Sequence, residues 1–255
     1  MNNRRLPVVT GNTETRVGVF ESVFKKVQKV FTRQARVDSV EELNPKFRLI
    51  TLSGDELKNV AWTPGDKVQI QLGGWVQRTY TPLDWVPEEG RFRILVYLHA
   101  DGPGTRWARS LRVGDACTVF GPRKSIDLTQ LRRPAIFFGD ETSFGLARAL
   151  KGPKAQAEGI AFLFELSTPP ESFAAVAYLG FSKTHHHFRS DSEIHSLELE
   201  AQMRALLAAH RPIQFVLTGR STSVQSLHKL LRREGFSSSQ IRARAYWAPG
   251  KTGLD

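Results

Sequence analysis

Apolar residues fall into two textures along this chain. From Arg36 to about Ile126 they alternate with polar ones in short runs: Arg36 to Val40, Phe47 to Leu52, Lys67 to Leu72, Trp75 to Thr81, Phe92 to His99 and Ala116 to Phe120. Successive side chains of a strand point to opposite faces, so alternation marks strands with one face buried. Gly54, Pro64, Gly65, Gly73, Gly74, Pro82 and Gly90 punctuate the runs, which together predict an antiparallel β-barrel. One helix, from about Thr105 to Leu111 with Gly114 as its stop, interrupts the pattern.

After Pro122 and the basic pair Arg132 and Arg133, the apolar runs become continuous and alternate with helical spacing. Strands are predicted over Ala135 to Phe138, Ile160 to Leu166, Ile213 to Leu217 and Ile241 to Trp247, with helices over Ser143 to Leu150, Ile194 to His210 and Ser223 to Arg233. Strands apolar on both faces and separated by helices predict a parallel, doubly wound α/β sheet. Ahead of both textures, Phe20, Val23, Phe24, Val27, Val30 and Phe31 recur at helical spacing among Lys25, Lys26 and Lys29. Such a basic amphipathic helix either packs onto the domain behind it or lies on an anionic membrane surface. The expected organisation is an extension over 1–35, a barrel over 36–131 and an α/β domain over 132–255.

Charge and composition narrow the chemistry. The 255 residues carry a formal charge of +11, which favours anionic partners: phosphates, acidic lipid, nucleic acid or an acidic substrate. Neither zinc-finger spacing, a basic-region zipper nor an aromatic RNA-binding signature is present, so no nucleic-acid partner is expected. No secretory signal and no transmembrane run is read in the sequence, and a cytoplasmic location is expected. Cys117 is the only cysteine, so an internal disulfide, a Cys-ligated cluster and dithiol chemistry are excluded, and redox work requires an organic cofactor. Its strand-like setting predicts a small buried hydrophobe.

In Arg78-Thr79-Tyr80-Thr81, alternation puts Arg78 and Tyr80 on one face. A guanidinium suits a pyrophosphate and an aromatic ring suits a flat heterocycle, with Thr81 available to the ring edge. His99 to Ala108 joins a strand end to a helix through Gly102 and Gly104, which leaves backbone N–H groups open to an anion, and Thr105 adds a hydroxyl. His99 itself reads equally as a ligand contact or as a core histidine. In the second half, Gly139-Asp140-Glu141-Thr142 ends the first strand where doubly wound sheets bind ligand, although the two carboxylates would repel a pyrophosphate. Glu165 reads either as a ribose acceptor or as a solvated carboxylate, and Thr218-Gly219-Arg220-Ser221 offers a second strand-end contact. Tyr246 and Trp247 close the last strand, to cap a cofactor or to pack the domain edge. His185, His186, His187 and His195 raise a metal reading, which is set aside because three consecutive histidines cannot face one ion; no metal site is expected.

In order and spacing, these motifs resemble the siderophore-interacting protein family, FAD-dependent ferric-siderophore reductases of the ferredoxin-reductase-like superfamily. The likeness spans Arg36 to Gly250 and rests on Thr51 to Leu57, Arg78 to Thr81, Leu98-His99, Gly102 to Ala108, Gly114-Asp115, Gly121 to Arg123, Gly139 to Thr142 and Tyr246-Trp247. It implies a two-domain fold in which a barrel holds FAD and the α/β domain brings NADH or NADPH. It further implies FAD contacts at Arg78, Tyr80, Thr81, His99, Gly104 and Thr105 and a nicotinamide site bordered by Gly139, Asp140, Glu141 and Thr142, and the motifs around them add Thr79, Leu98, Gly102, Gly219, Arg220, Tyr246 and Trp247 as candidate cofactor contacts. Thr81 would stand nearest the flavin N5, and no protein nucleophile is implied. The implied substrate is a ferric siderophore or other ferric chelate, docked at basic residues for which Lys46, Arg242, Arg244 and Lys251 are the candidates. A redox protein such as ferredoxin or flavodoxin is the alternative acceptor, and a non-catalytic basic module that binds membrane or nucleic acid is the alternative outside enzymology. The chain departs from the family in carrying Pro82-Leu83 where Val-Arg is usual, and Gly219-Arg220 where Gly-Glu is common.

Overall fold

Strand alternation becomes a curled antiparallel sheet in the computed structural model, which describes residues 32–251 except 75, 100, 153–157, 191 and 193. The helix expected over Val19 to Phe31 lies outside the described residues. Seven strands form the first sheet: β1 (Thr32–Asn44), β2 (Phe47–Ser53), β3 (Lys67–Gly73), β4 (Val76–Tyr80), β5 (Asp84–Val86), β6 (Arg91–Tyr97) and β7 (Ala116–Arg123). They run in the order β4-β3-β7-β1-β2-β6-β5. The first of these, β4, nevertheless contacts β6, which requires the sheet to curl as a barrel does. β1 is longer than its apolar run suggested because two bulges, between Val37 and Ser39 and between Glu42 and Asn44, let it keep pairing with β2. Helix α1 (Pro103–Ser110) follows β6, with proline in its first turn, where a missing N–H costs nothing. Inside the curl lie Val37, Ile50, Leu52, Val68, Ile70, Ile94, Val96 and Val119, together with Cys117. Cys117 is 3% exposed, and burial pushes its thiol up to about 11.

The second sheet is parallel, β10-β9-β8-β11-β12, from β8 (Ala135–Asp140), β9 (Ile160–Leu166), β10 (His185–Phe188), β11 (Gln214–Arg220) and β12 (Ile241–Trp247). Helices α2 (Phe144–Lys151), α3 (Pro169–Tyr178), α4 (His195–His210) and α5 (Ser221–Arg233) connect them. Two elements of this half escaped the sequence reading, as β5 did in the first sheet. α3 opens on Pro169-Pro170, which reads as a loop yet fits a first helical turn. β10 is built from the histidine run and pairs in parallel with β9 from His185 to Phe188. No helix among the described residues is long and apolar enough to cross a membrane.

The two sheets share a core. Phe47 of β2 stacks on Phe144 of α2 at 5.7 Å between ring centroids, and Phe144 meets Phe164 of β9 edge-on at 5.1 Å. All three are fully buried, and each such side chain contributes about 1.5–3 kcal/mol by leaving water. The C-terminal ends of β8 and β11, between which the strand order reverses, therefore face the barrel across a short gap.

Candidate functional site

That gap is a cleft of about 360 Å³ lined from both sheets. The barrel supplies Arg78, Thr79, Tyr80 and Thr81 from the end of β4, His99 from beyond β6, and Gly102, Gly104 and Thr105 from the start of α1. The α/β side supplies Thr142 and Gly145, and β12 with its continuation supplies Arg244, Tyr246, Trp247 and Lys251. Arg78 and Tyr80 share a face as alternation requires. A β-carbon placed on Gly104 would stand 3.4 Å from Arg78 Cγ and 3.5 Å from Tyr80 Oη, so both side chains lie against the α1 backbone. The N-cap of α1 is Gly102, no side chain caps its N–H groups and its first turn carries no acid. Those donors are open, as anion binding at a helix start requires. Tyr80 packs its ring on Trp107 of α1 at 6.1 Å.

At the end of β12 the pairing with β11 skips a residue, from Gly219 opposite Ala245 to Arg220 opposite Trp247. The bulge turns Tyr246 toward the barrel, where its buried hydroxyl lies within reach of Thr81 and Ser125. Trp247 turns the other way: its Nε1–H donates to Asp140 Oδ2 at 2.6 Å, and its ring stacks 6.4 Å from that of His99.

A second cavity of about 320 Å³ adjoins the first and shares Tyr97, His99, Thr142 and Trp247 with it. Asp140, Glu141, Ser167, Thr168 and Arg189 complete its wall. Asp140 and Glu141 each meet the Arg189 guanidinium at 3.4 Å, and Glu165 meets it at 3.3 Å. Asp140 Oδ1 also accepts from the Thr142 N–H at 2.9 Å, and Glu141 Oε1 accepts from the Ser167 and Ser172 hydroxyls at 3.0 and 3.2 Å. Burial raises the Asp140 carboxyl to about 6, against the pull of Arg189 and Thr142. Burial also raises Glu165, but Arg189, Ser223 and His195 outweigh it and hold that carboxyl below its usual range.

Most of the residues singled out in the sequence meet here, and the exceptions have physical reasons. Leu98 points into the barrel core at 4% exposure. Gly139 and Gly219 back the site: a β-carbon on Gly139 would collide with Ser143, and one on Gly219 would stand 2.6 Å from the Asp140 carboxyl carbon. Arg220 lies over the Trp247 ring at 6.0 Å and lines neither cavity. Lys46 sits in the β1–β2 turn, outside both linings. Arg242 is engaged elsewhere and lines neither cavity. Glu165 is neither solvated nor free for a ribose: it is fully buried, accepting from Ser223 Oγ and pairing with His195 Nε2, each at 2.7 Å. His187 and His195 face each other at 3.2 Å, His185 and His186 lie on the edge strand, and no group of three metal-ligating side chains occurs among the described residues.

Sequence reasoning missed Tyr97, Gly145, Ser167, Thr168 and Arg189. Gly145 lies so close to the barrel that a β-carbon there would overlap the Thr81 carbonyl oxygen. The signal for Arg189 was its place after Phe188, at the carboxyl end of a parallel strand, but the histidine run concealed that strand.

Comparison with known proteins accords with this architecture. The siderophore-interacting FAD-binding domain matches residues 74–126, and the siderophore-interacting protein model matches residues 133–250. The chain is 26% identical over 235 residues to the mycobactin import ATP-binding/permease protein IrtA of Mycolicibacterium smegmatis; the match covers 86% of this chain and 26% of that protein, so the chain spans about a quarter of the relative's length. Among solved structures, the siderophore-interacting protein SipS from Aeromonas hydrophila aligns with a TM-score of 0.70 and 20% identity, over 87% of this chain and 93% of that one. A ferredoxin NADP+ reductase from Neisseria gonorrhoeae with bound FAD and NADP aligns with a TM-score of 0.67 and 13% identity, over 85% and 99%. These structural likenesses establish the two-domain ferredoxin-reductase-like fold. With the two matched segments in chain order and together covering more than half of its length, the chain belongs to the siderophore-interacting protein family.

Proposed function

We propose that the protein is an FAD-dependent oxidoreductase that draws electrons from NADH or NADPH and delivers them to Fe(III) in a siderophore or another ferric chelate, freeing iron in the cytoplasm. The observation that carries this reading is the convergence of an uncapped helix start, a guanidinium, an aromatic ring and a buried hydroxyl in one cleft at the switch point of a parallel sheet. The residues suit FAD. Arg78 and the open N–H groups at Gly104 and Thr105 would hold its pyrophosphate. Tyr80 would lie along its ring system, and the buried Tyr246 hydroxyl would reach the ring edge, with Thr81 beside the reactive nitrogen.

Bound FAD would supply the conversion between a two-electron donor and a one-electron acceptor. The protein's own contribution is to bind, align and exclude water. Thr142, Ser167 and Thr168 offer hydroxyls to a nicotinamide nucleotide in the second cavity, while Asp140 and Glu141 are already satisfied by Arg189 and their hydroxyl neighbours. Lys251 and Arg244, at the cleft, with Lys46 nearby, supply positive charge for an anionic chelate. Anaerobic visible spectroscopy tests the reading. Flavin bands should bleach with NADH or NADPH and recover on adding a ferric chelate, with Fe(II) appearing in a ferrous trap. Protein that stays colourless after FAD is supplied overturns it.

A further inference from the structure

Arg242 was a candidate for acceptor binding because it is cationic, but each of its three guanidinium nitrogens already has a partner. Its Nε–H donates to the Asp127 carbonyl at 2.8 Å, its Nη2 to the Gln130 carbonyl at 3.3 Å, and its Nη1 to Gln214 Oε1 at 3.1 Å. Gln214, 4% exposed, uses the same oxygen to accept the Arg132 N–H at 2.7 Å. One strand position further along the same face, Arg244 donates to the Ser125 carbonyl at 3.4 Å. Residues 125–132, which join the two sheets, are thus strapped along β12. The strap carries a wedge: a β-carbon on Gly65 of the barrel would stand 3.0 Å from Leu128 and 3.4 Å from Leu146 of α2, so Leu128 fills the seam between the sheets. β12 then runs directly into Tyr246 and Trp247, which line the cleft.

We infer that Arg242 is a positioning residue: by fastening residues 125–132 and Leu128 to β12 it fixes the separation of the two sheets, and so the alignment of the two cofactors across the cleft. The role in cofactor alignment rests on the function proposed above; the mechanical role does not. Three acceptors at a planar fork suit arginine alone, so Arg242→Lys does not substitute. Reactions between bound partners are steep in geometry, so a small displacement slows them severely.

The test compares Arg242→Ala, Arg242→Lys and Leu128→Ala with the parent protein. FAD affinity and flavin reduction by dithionite should stay as in the parent, while the rate of flavin bleaching by saturating NADH or NADPH falls about tenfold or more, with KM for the ferric chelate unchanged. Spin labels on Glu88→Cys in the barrel and Lys229→Cys on α5 report the separation directly. Both positions are exposed, and native Cys117 is buried. Their distance distribution should shift and broaden in all three variants. An unaltered distance distribution overturns the inference, as does a variant whose sole defect is a raised KM for the ferric chelate, which would return Arg242 to acceptor binding. If the parent protein is not reduced by either nucleotide, the proposed function fails, and the spin-label distances still decide the strap.

Discussion

Two helix starts face each other across the cleft, and they are chemically opposite. On the barrel side α1 begins at Gly102 with no capping side chain and no acid, beside Arg78, which donates to the Gln77 carbonyl at 2.7 Å. On the α/β side the turn leading into α2 is capped from within: Asp140 takes both the N–H and the hydroxyl of Thr142, and Arg189 is clamped by three carboxylates. A helix N-terminus is an anion site only while the chain leaves its donors open. The first helix start therefore keeps its donors open, whereas the charges of the second are satisfied within the fold and leave only hydroxyls to face its cavity.

Replacing one arginine on each side separates the two cases. Arg189→Met, which strands three buried carboxylates, should cost about 3–5 kcal/mol of stability without any cofactor; a urea midpoint equal to the parent's would break the contrast. Arg78→Ala should leave the cofactor-free protein within about 0.5 kcal/mol of the parent yet weaken FAD by about 1.5–3 kcal/mol, roughly tenfold to a hundredfold in Kd by calorimetry. Between the regions, Gly145→Ala pushes a methyl against the Thr81 carbonyl. That overpacking should cost about 1–3 kcal/mol in unfolding experiments and slow flavin reduction by nicotinamide nucleotide more than reduction by dithionite.

The finest test is a slope. Because the folded-state pKa of Asp140 is raised from 3.8 to about 6, the folded protein binds the extra proton in that window. Asp140 therefore makes stability fall as pH rises through it, by at most about 1.4 kcal/mol per pH unit. The difference in unfolding free energy between Asp140→Asn and the parent, measured at several pH values, should carry that slope. A flat difference would show the carboxyl ionising as it does in the unfolded chain.

Both textures of the fold were legible, because barrel strands with one wet face must alternate and parallel strands covered on both faces must not. β10 was not legible, since three histidines carry neither pattern, and with it went Arg189. The two segments Arg78 to Thr81 and Gly102 to Thr105 could be read because each is marked by its own local spacing, while folding brings them together. Gly145 could not, because its role depends on a backbone oxygen 64 positions earlier in the chain. Arg242 shows the converse limit: a residue's charge says what it can bind, and only the neighbours brought by folding say whether it is already bound.

The stack of Phe47, Phe144 and Phe164 has a consequence for how the molecule melts. Neither sheet owns those rings, so a gene cut at the boundary between residues 131 and 132 would give two products, each exposing half of an aromatic seam to water. The barrel and the α/β layer should lose their structure in a single calorimetric transition, and the two fragments, expressed separately, should recover solubility when mixed.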